Sequence, residues 1–202
     1  MHPYSTDSSE KQTIQSVLAF ASVGASWLLH AMTGHFRIVL PWWIELPSVL
    51  AFYGMGYELV DRSIWKWQLP RRVGLLKLPN LSGTWEGYVT STFDSHADKH
   101  AATIEVRQTW TRIVVTLRTD HSESHSLAAT LLVDQAFGPL LSYEYLNEPK
   151  PNALAAMQTH RGTARLRLES GNEMDVLDGE YYAGRGRENQ GIMHFERRQG
   201  AT

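Results

Sequence analysis

The feature that most constrains the fold is the nine-residue stretch 81–89, which reads LSGTWEGYV. At the period of two that a β-strand imposes, Gly83, Trp85 and Gly87 share one side, and the polar residues between them share the other. Glycine weakens a strand interior unless the backbone bends sharply or is closely approached there. Two glycines that flank an inward tryptophan therefore favour the strongly coiled first strand of a small closed barrel. A tryptophan in the core of any antiparallel sheet would give the same alternation.

The remainder of the chain, from residue 79 onward, reads as eight short strands separated by turn residues. Ile113, Val115 and Leu117 alternate with polar residues, and a dry face opposite a wet face is typical of antiparallel sheets. The pattern predicts an eight-stranded up-and-down, lipocalin-like antiparallel β-barrel over residues 79–202, wide enough to hold a small ligand. A two-sheet sandwich is the alternative. We place the strands at residues 80–93, 100–110, 112–120, 124–134, 139–147, 159–168, 174–183 and 190–198.

The first part of the chain, residues 1–65, is far more apolar. Residues 13–33 carry no formal charge, and a helix of that length spans the roughly 30 Å core of a bilayer. A second apolar run at 38–60 contains Trp42 and Trp43 near its start, as an interfacial aromatic belt would. We predict a hairpin of two transmembrane helices, preceded by a disordered or frayed segment 1–12. The alternatives are a secretory signal peptide for the first run and a buried soluble hairpin for both.

Basic residues predict how this hairpin is oriented. Residues 66–78 form a basic juxtamembrane connector, whereas the turn between the two runs carries only Arg37. Because cytoplasmic flanks are enriched in Lys and Arg, both termini and the barrel are expected in the cytoplasm. The connector can lie against anionic lipid headgroups, or its charges can simply be solvated.

Composition and motifs argue against catalysis. The net charge is −2 and there is no cysteine, so we expect neither bulk attraction to nucleic-acid polymers nor a thiolate site. The sequence contains no G-x-S-x-G, H-E-x-x-H or P-loop motif. Histidines four apart on a strand, such as His96 and His100, are separated by about 13 Å, too far to share a metal ion. We therefore predict a protein that is not an enzyme and uses no cofactor or metal.

Aromatic and basic side chains on the predicted strands are the candidate ligand contacts. Aromatic rings can stack on bases, and arginines can hold phosphates through paired hydrogen bonds. The alternative is that the tyrosines fill the core and the arginines are ordinary surface charges. The candidates for nucleotide binding are Tyr143, Tyr145, Tyr181, Arg112, Arg118, Arg185 and Arg187.

The order of segments also resembles a known family. Two apolar runs, a basic connector, LSGTWEG at 81–87 and an all-β remainder resemble the two-transmembrane, β-strand-rich effectors of bacterial CBASS antiphage defence. Residues 177–182, LDGEYY, and 191–198, GIMHFERR, are similar to that family's final hairpin. The resemblance implies a barrel that binds a cyclic dinucleotide made by a neighbouring nucleotidyltransferase. It also implies a multi-pass inner-membrane protein whose helices oligomerise and disrupt the membrane, causing abortive infection.

A second hypothesis follows from the same G-x-W-x-G motif, which also opens lipocalin-like and fatty-acid-binding barrels. The chain could then be a membrane-tethered carrier or sensor of a small apolar ligand. A carrier should have an almost wholly apolar lumen, whereas a dinucleotide receptor needs polar and cationic groups near the barrel mouth.

Overall fold

The computed structural model describes residues 1–36, 42–72, 74–153, 157–171, 174–184 and 189–198. The chain forms two compact units. One consists of Met1–Asp7 together with Leu78–Thr202, and the other of Ser8–Lys77.

The first unit is a closed β-barrel, which contains nine strands in the described part of the chain. From the second strand onward, each strand pairs antiparallel with the next, and the last returns to the second. This is the predicted up-and-down barrel, and a two-sheet sandwich is not formed. The strands are β1 His2–Thr6, β2 Gly83–Val89, β3 His100–Gln108, β4 Arg112–Thr119, β5 Ser122–Leu132, β6 Leu140–Pro149, β7 His160–Ser170, β8 Met174–Ala183 and β9 Gln190–Arg198.

The additional strand is β1, so the predicted number of eight strands and the predicted disorder at the N-terminus are both wrong. Strands β4 and β5 pair only over Thr116–Arg118 before they diverge, and the register of β5 shifts between Ser126 and Ala128. Strand β1 fills the gap, antiparallel to β4 and parallel to β5. Such a short polar strand leaves little periodicity in the sequence. Its hydrogen-bonding partners, β4 and β5, come from distant parts of the chain.

Side chains hold β1 in this gap. The hydroxyl of Tyr4, which is only 6% exposed, donates a 2.8 Å hydrogen bond to the backbone oxygen of Trp110. The imidazole of His2 lies 2.7 Å from the hydroxyl of Ser126. Just beyond the strand, the carboxylate of Asp7 accepts a 2.7 Å hydrogen bond from a backbone N–H at the end of β5. The N-terminal strand is therefore an integral part of the barrel wall.

The core around Trp85 confirms the prediction made from residues 81–89. Trp85 is fully buried, and its indole N–H donates a 2.9 Å hydrogen bond to the backbone oxygen of Leu81. The guanidinium of Arg197 lies 4.2 Å from the centre of the Trp85 ring and forms a 2.9 Å ion pair with Asp175. A Cβ at Gly87 would overlap the backbone of β9. This glycine is therefore required by a close backbone approach, as the sequence indicated.

The second unit is helical. It contains α1 Glu10–His35, α2 Trp42–Arg62, a short 3-10 helix at Ile64–Lys66 and α3 Gln68–Arg72. Among the described helices, only α1 is long and apolar enough to cross a membrane. The prediction of two spans is therefore supported for the first helix only. Helix α2 includes Glu45, Glu58, Asp61 and Arg62. The start of the predicted second run, residues 38–41, lies outside the described residues.

Small residues line the contact between α1 and α2. The hydroxyls of Ser26 and Ser48 are 2.6 Å apart, and a Cβ at Gly56 would lie only 3.0 Å from a methyl of Leu18. Large apolar side chains point away from this contact, including Phe20 and Trp27, which are 80% and 70% exposed. A buried soluble hairpin would cover these side chains, whereas lipid contact accounts for their exposure. The helical unit thus supports association with a membrane.

Candidate ligand-binding site

A cavity of about 680 Å³ lies inside one end of the barrel, within the range of roughly 300–1,000 Å³ that is usual for small-molecule sites. It is built where β2, β4, β6 and β8 end and β3, β5, β7 and β9 begin. We call this end the mouth. The polar and aromatic residues that line the cavity are Ser91, Phe93, Lys99, His100, Thr119, Asp120, His121, Ser122, Ser124, Tyr143, Tyr145, Asn147, His160, Tyr181 and Asn189.

The three predicted tyrosines all line this cavity. Tyr143 and Tyr145 follow each other on the inner face of β6, are 4% and 7% exposed, and have ring centres 6.2 Å apart. Tyr181 on β8 joins them, because both Tyr143 and Tyr181 pair with Ala164 on the strand between. Burial raises the pKa of Tyr143, and the neighbouring Tyr145 raises it further. The Tyr143 phenol is therefore neutral and can donate a hydrogen bond.

Two glycines create the space in which the tyrosine rings lie. Gly162 on β7 is paired with Tyr145, and a Cβ there would overlap the Tyr145 phenol. Gly191 on β9 is paired with Tyr181, and a Cβ there would overlap the Tyr181 ring. We did not predict these glycines as site residues. The alternation of each strand predicts that these glycines face inward. It does not predict the strand register that places each glycine beneath a tyrosine.

Buried polar side chains extend the lining beyond the aromatic rings. Ser122 and Ser124 on β5 and Asn147 on β6 are each 6% exposed and line the cavity. The Asn147 amide nitrogen donates to the Met157 sulfur at 3.4 Å. These residues were not predicted from the sequence, although serines at alternate, inward-facing positions of a strand are a recognisable signal. Their presence means that the lumen is not the wholly apolar one expected of a lipid carrier.

Basic groups gather on the β3 side of the mouth. Lys99 and His100 both line the cavity. The Lys99 ammonium lies 4.1 Å from the centre of the Tyr88 ring, and the His100 imidazole lies 2.9 Å from the carboxylate of Asp94. Desolvation alone would raise the pKa of Asp94, but the hydrogen bond from His100 and neighbouring contacts outweigh it, so that this pKa is lowered. With His121 and His160 elsewhere on the rim, the mouth carries one ammonium group and three imidazoles beside the carboxylate of Asp120.

Two of the four predicted arginines, Arg112 and Arg118, lie in the described part of the chain, and neither lines this cavity. Arg118 lies on the outer wall, where it forms ion pairs with Glu105 and Glu123 at 2.9 and 3.2 Å. The reason is the strand alternation, since its neighbours Leu117 and Thr119 both line the cavity. Arg112 is exposed at the start of β4, at the end opposite the mouth.

Arg185 and Arg187 lie outside the described residues. In sequence they fall between Ala183 and Asn189, both of which line the cavity. Within the described residues, no group of three or more histidine and carboxylate side chains could hold a metal ion.

Comparison with known proteins identifies this cavity-bearing barrel. The family described as the Cap15 cyclic dinucleotide receptor domain matches residues 76–197. The chain belongs to this family. The match spans β2–β8, nearly all of β9 and every residue that lines the cavity. Cap15 domains are receptors rather than a catalytic family, and the resemblance to the β-strand-rich CBASS effectors is confirmed.

Two relatives support the Cap15 assignment over most of the chain. The CD-NTase-associated protein 15 of Yersinia aleksiciae is 28% identical over 155 residues, which cover 76% of this chain and 71% of that protein. The CD-NTase-associated protein 15 of Staphylococcus schleiferi is 30% identical over 146 residues, which cover 70% of this chain and 74% of that protein.

Proposed function

We propose that this protein is a membrane-bound CBASS effector that senses a cyclic dinucleotide in the cavity at the barrel mouth. The observation that carries the proposal is the set of three tyrosines beside a basic rim, inside the region that matches the Cap15 receptor domain. A cyclic dinucleotide presents two flat bases and two phosphates, so its receptor needs both kinds of group. The ligand would come from a nucleotidyltransferase encoded beside this protein.

The tyrosines are the proposed base contacts. Stacking of a base on an aromatic ring is worth about 1–3 kcal/mol, and Tyr143, Tyr145 and Tyr181 offer adjacent rings with little freedom to move. Lys99 and His100 are the described groups best placed to meet the phosphates. Phosphate contacts from Arg185 and Arg187 remain predictions from the sequence. Arg112 and Arg118 do not line the cavity, so we do not propose them as phosphate contacts there.

The membrane unit is the proposed killing element. We expect α1 and α2 to form a two-span hairpin in the inner membrane, with both termini and the barrel in the cytoplasm. Ligand binding can act on these helices only if the ligand favours one arrangement of the chains over another. Exposed apolar side chains such as Phe20 and Trp27 suit contact with lipid or with helices of further copies. We therefore expect oligomerisation on ligand binding, followed by disruption of the membrane.

Calorimetry on the full-length protein in detergent tests the binding step. We expect a cyclic dinucleotide to bind and a long-chain fatty acid, the control for the carrier hypothesis, not to bind. Lys99→Ala should weaken binding about 10- to 150-fold, the equivalent of a charged hydrogen bond of about 1.5–3 kcal/mol. Arg118→Ala is the matched control, because this side chain lies on the outer wall. Binding of the fatty acid but not of the cyclic dinucleotide would support the carrier hypothesis. If only Arg118→Ala loses affinity for the cyclic dinucleotide, the phosphates bind on the outer wall instead.

Vesicle leakage tests the membrane step. Full-length protein in dye-loaded vesicles should release the dye only when cyclic dinucleotide is added, and Lys99→Ala should need more ligand for the same release. A reporter fused after Thr202 should behave as cytoplasmic in cells. Release without ligand, or a periplasmic reporter signal, would contradict the proposed gating or the proposed orientation respectively.

A further inference from the structure

A buried carboxamide in the cavity lacks a strong partner. Asn147, which is 6% exposed, lies near the end of β6 and points inward at the mouth. Its amide nitrogen donates to the thioether sulfur of Met157 at 3.4 Å, and thioether sulfur is a weak acceptor. Among the described residues, its side-chain oxygen accepts no hydrogen bond. The oxygen is open to the cavity, and a carboxamide offers both a donor and an acceptor, so Asn147 is available to a ligand.

A second buried carboxamide, at the other end of the barrel, differs from Asn147 in its hydrogen bonds. Gln108 on β3 is 4% exposed and is also an inward-facing carboxamide. Its oxygen accepts a 2.8 Å hydrogen bond from the backbone of Leu81, and its nitrogen donates to the backbone oxygen of Pro79 at 3.2 Å. Gln108 therefore has a structural partner on each side, whereas Asn147 has none of comparable strength.

The position of Asn147 suits contact with the edge of a stacked base. Tyr143, Tyr145 and Asn147 occupy successive inward positions of β6, so the carboxamide lies about 7 Å along the strand from Tyr145. The Tyr143 and Tyr145 rings are tilted by 56° to each other, so a base can stack on only one of them. A base stacked on the Tyr145 ring lies parallel to that ring and presents its hydrogen-bonding edge sideways. That edge would therefore meet Asn147.

We propose that Asn147 is a specificity-determining residue that selects adenine in the bound cyclic dinucleotide. This inference rests on the proposed function. A carboxamide presents one acceptor beside one donor, the complement of the adenine amino group and either ring nitrogen beside it. Adenine offers this pattern on both of its edges. Guanine presents two acceptors on its Hoogsteen edge, so only its Watson–Crick edge can pair with Asn147.

The test compares cyclic di-AMP with cyclic di-GMP by calorimetry on the full-length protein. We expect the parent protein to bind cyclic di-AMP at least about tenfold more tightly, as one bidentate base contact provides. Asn147→Asp replaces the donor by a second acceptor, which matches the two N–H groups on the Watson–Crick edge of guanine. This variant should lose at least tenfold in affinity for cyclic di-AMP and should reverse the preference. Arg118→Ala on the outer wall is the control and should keep the parental preference.

The outcomes separate this inference from the proposed function. If neither nucleotide binds the parent protein, the proposed function fails. If both bind the parent equally, or cyclic di-GMP binds more tightly, the receptor role stands and the adenine preference is overturned. Asn147→Ser, which removes the carboxamide without adding charge, covers the case in which Asn147→Asp does not fold. It should bring the two affinities within about threefold of each other, and a preserved tenfold preference would exclude Asn147 as its source.

Discussion

Removing Trp85 should strongly destabilise the barrel. The side chain is fully buried, and truncation of a buried tryptophan to alanine costs about 3–5 kcal/mol through lost burial and the remaining void. Trp85→Ala also removes the ring beneath the Arg197 guanidinium, 4.2 Å away. Because a domain of this size is stable by only about 5–15 kcal/mol, the substitution should remove a large share of the total.

Trp85→Phe divides this loss into two parts. Phenylalanine keeps an aromatic ring in the core but lacks the indole N–H, which leaves the Leu81 backbone oxygen without its 2.9 Å hydrogen bond. An unsatisfied buried acceptor costs about 1–3 kcal/mol, so Trp85→Phe should be clearly less destabilising than Trp85→Ala. Phe137→Ala is the control within the same unit, because Phe137 is 76% exposed and its truncation should cost less than about 1 kcal/mol.

Pulse proteolysis in urea is the appropriate assay, because it measures the unfolded fraction without relying on the tryptophan signal. The full-length protein in detergent is incubated at increasing urea concentrations and digested briefly. Trp85→Ala should unfold at markedly lower urea than the parent, with Trp85→Phe between them. Unfolding of Trp85→Ala at the parental urea concentration would show that Trp85 does not organise the core. Equal losses for both variants would assign the effect to the hydrogen bond rather than to the buried volume.

Three further predictions concern the site, the outer wall and the N-terminal strand. Gly162→Ala should displace the Tyr145 ring, because the added Cβ would overlap it, and should weaken cyclic dinucleotide binding at least about tenfold. An unchanged affinity in calorimetry would show that this ring position is not needed for binding. The hydrogen bond that the His194 imidazole donates to the Asp178 carboxylate raises the pKa of His194 above its ordinary value of about 6.5. Protonation of His194 therefore stabilises the barrel fully below about pH 6.5, and that stability is lost as pH rises through the higher folded-state pKa. Melting temperatures of the parent should fall across that interval more steeply than those of Asp178→Asn, and parallel profiles would exclude this pair. Tyr4→Phe should cost about 0.5–1.5 kcal/mol in urea unfolding through loss of a buried hydrogen bond, whereas no change would mean that β1 is held by its backbone pairing alone.

Much of the barrel was predictable because strand formation leaves a local signal. The alternation around Ile113, Val115 and Leu117 placed β4 within one residue of its observed end, and the turns marked the strands from β2 to β9. Residues 81–89 indicated both a buried tryptophan and a close backbone approach at Gly87, and both are observed. The three cavity tyrosines were also identified, because an aromatic residue on an otherwise apolar face can be recognised within a single strand.

What depends on strand register was not predictable. Alternation within β4 already places Arg118 on the side opposite Leu117, but the ion pairs that Arg118 forms with Glu105 and Glu123 depend on how three strands are paired. Gly162 lies beneath Tyr145 because β6 and β7 pair in one particular register. That register cannot be predicted from the sequence of either strand alone.

The sequence by itself therefore determined the strands, their dry faces, the apolar first helix and the aromatic character of the lumen, since each follows from periodicity or composition within one segment. The tertiary structure decided that His2–Thr6 forms a ninth strand, because its hydrogen-bonding partners exist only where β4 and β5 diverge. It also decided that Asn147 is a buried carboxamide without a strong partner while Gln108 is satisfied. Burial and hydrogen-bond satisfaction depend on which distant residues share a space, and only the closed barrel brings those residues together.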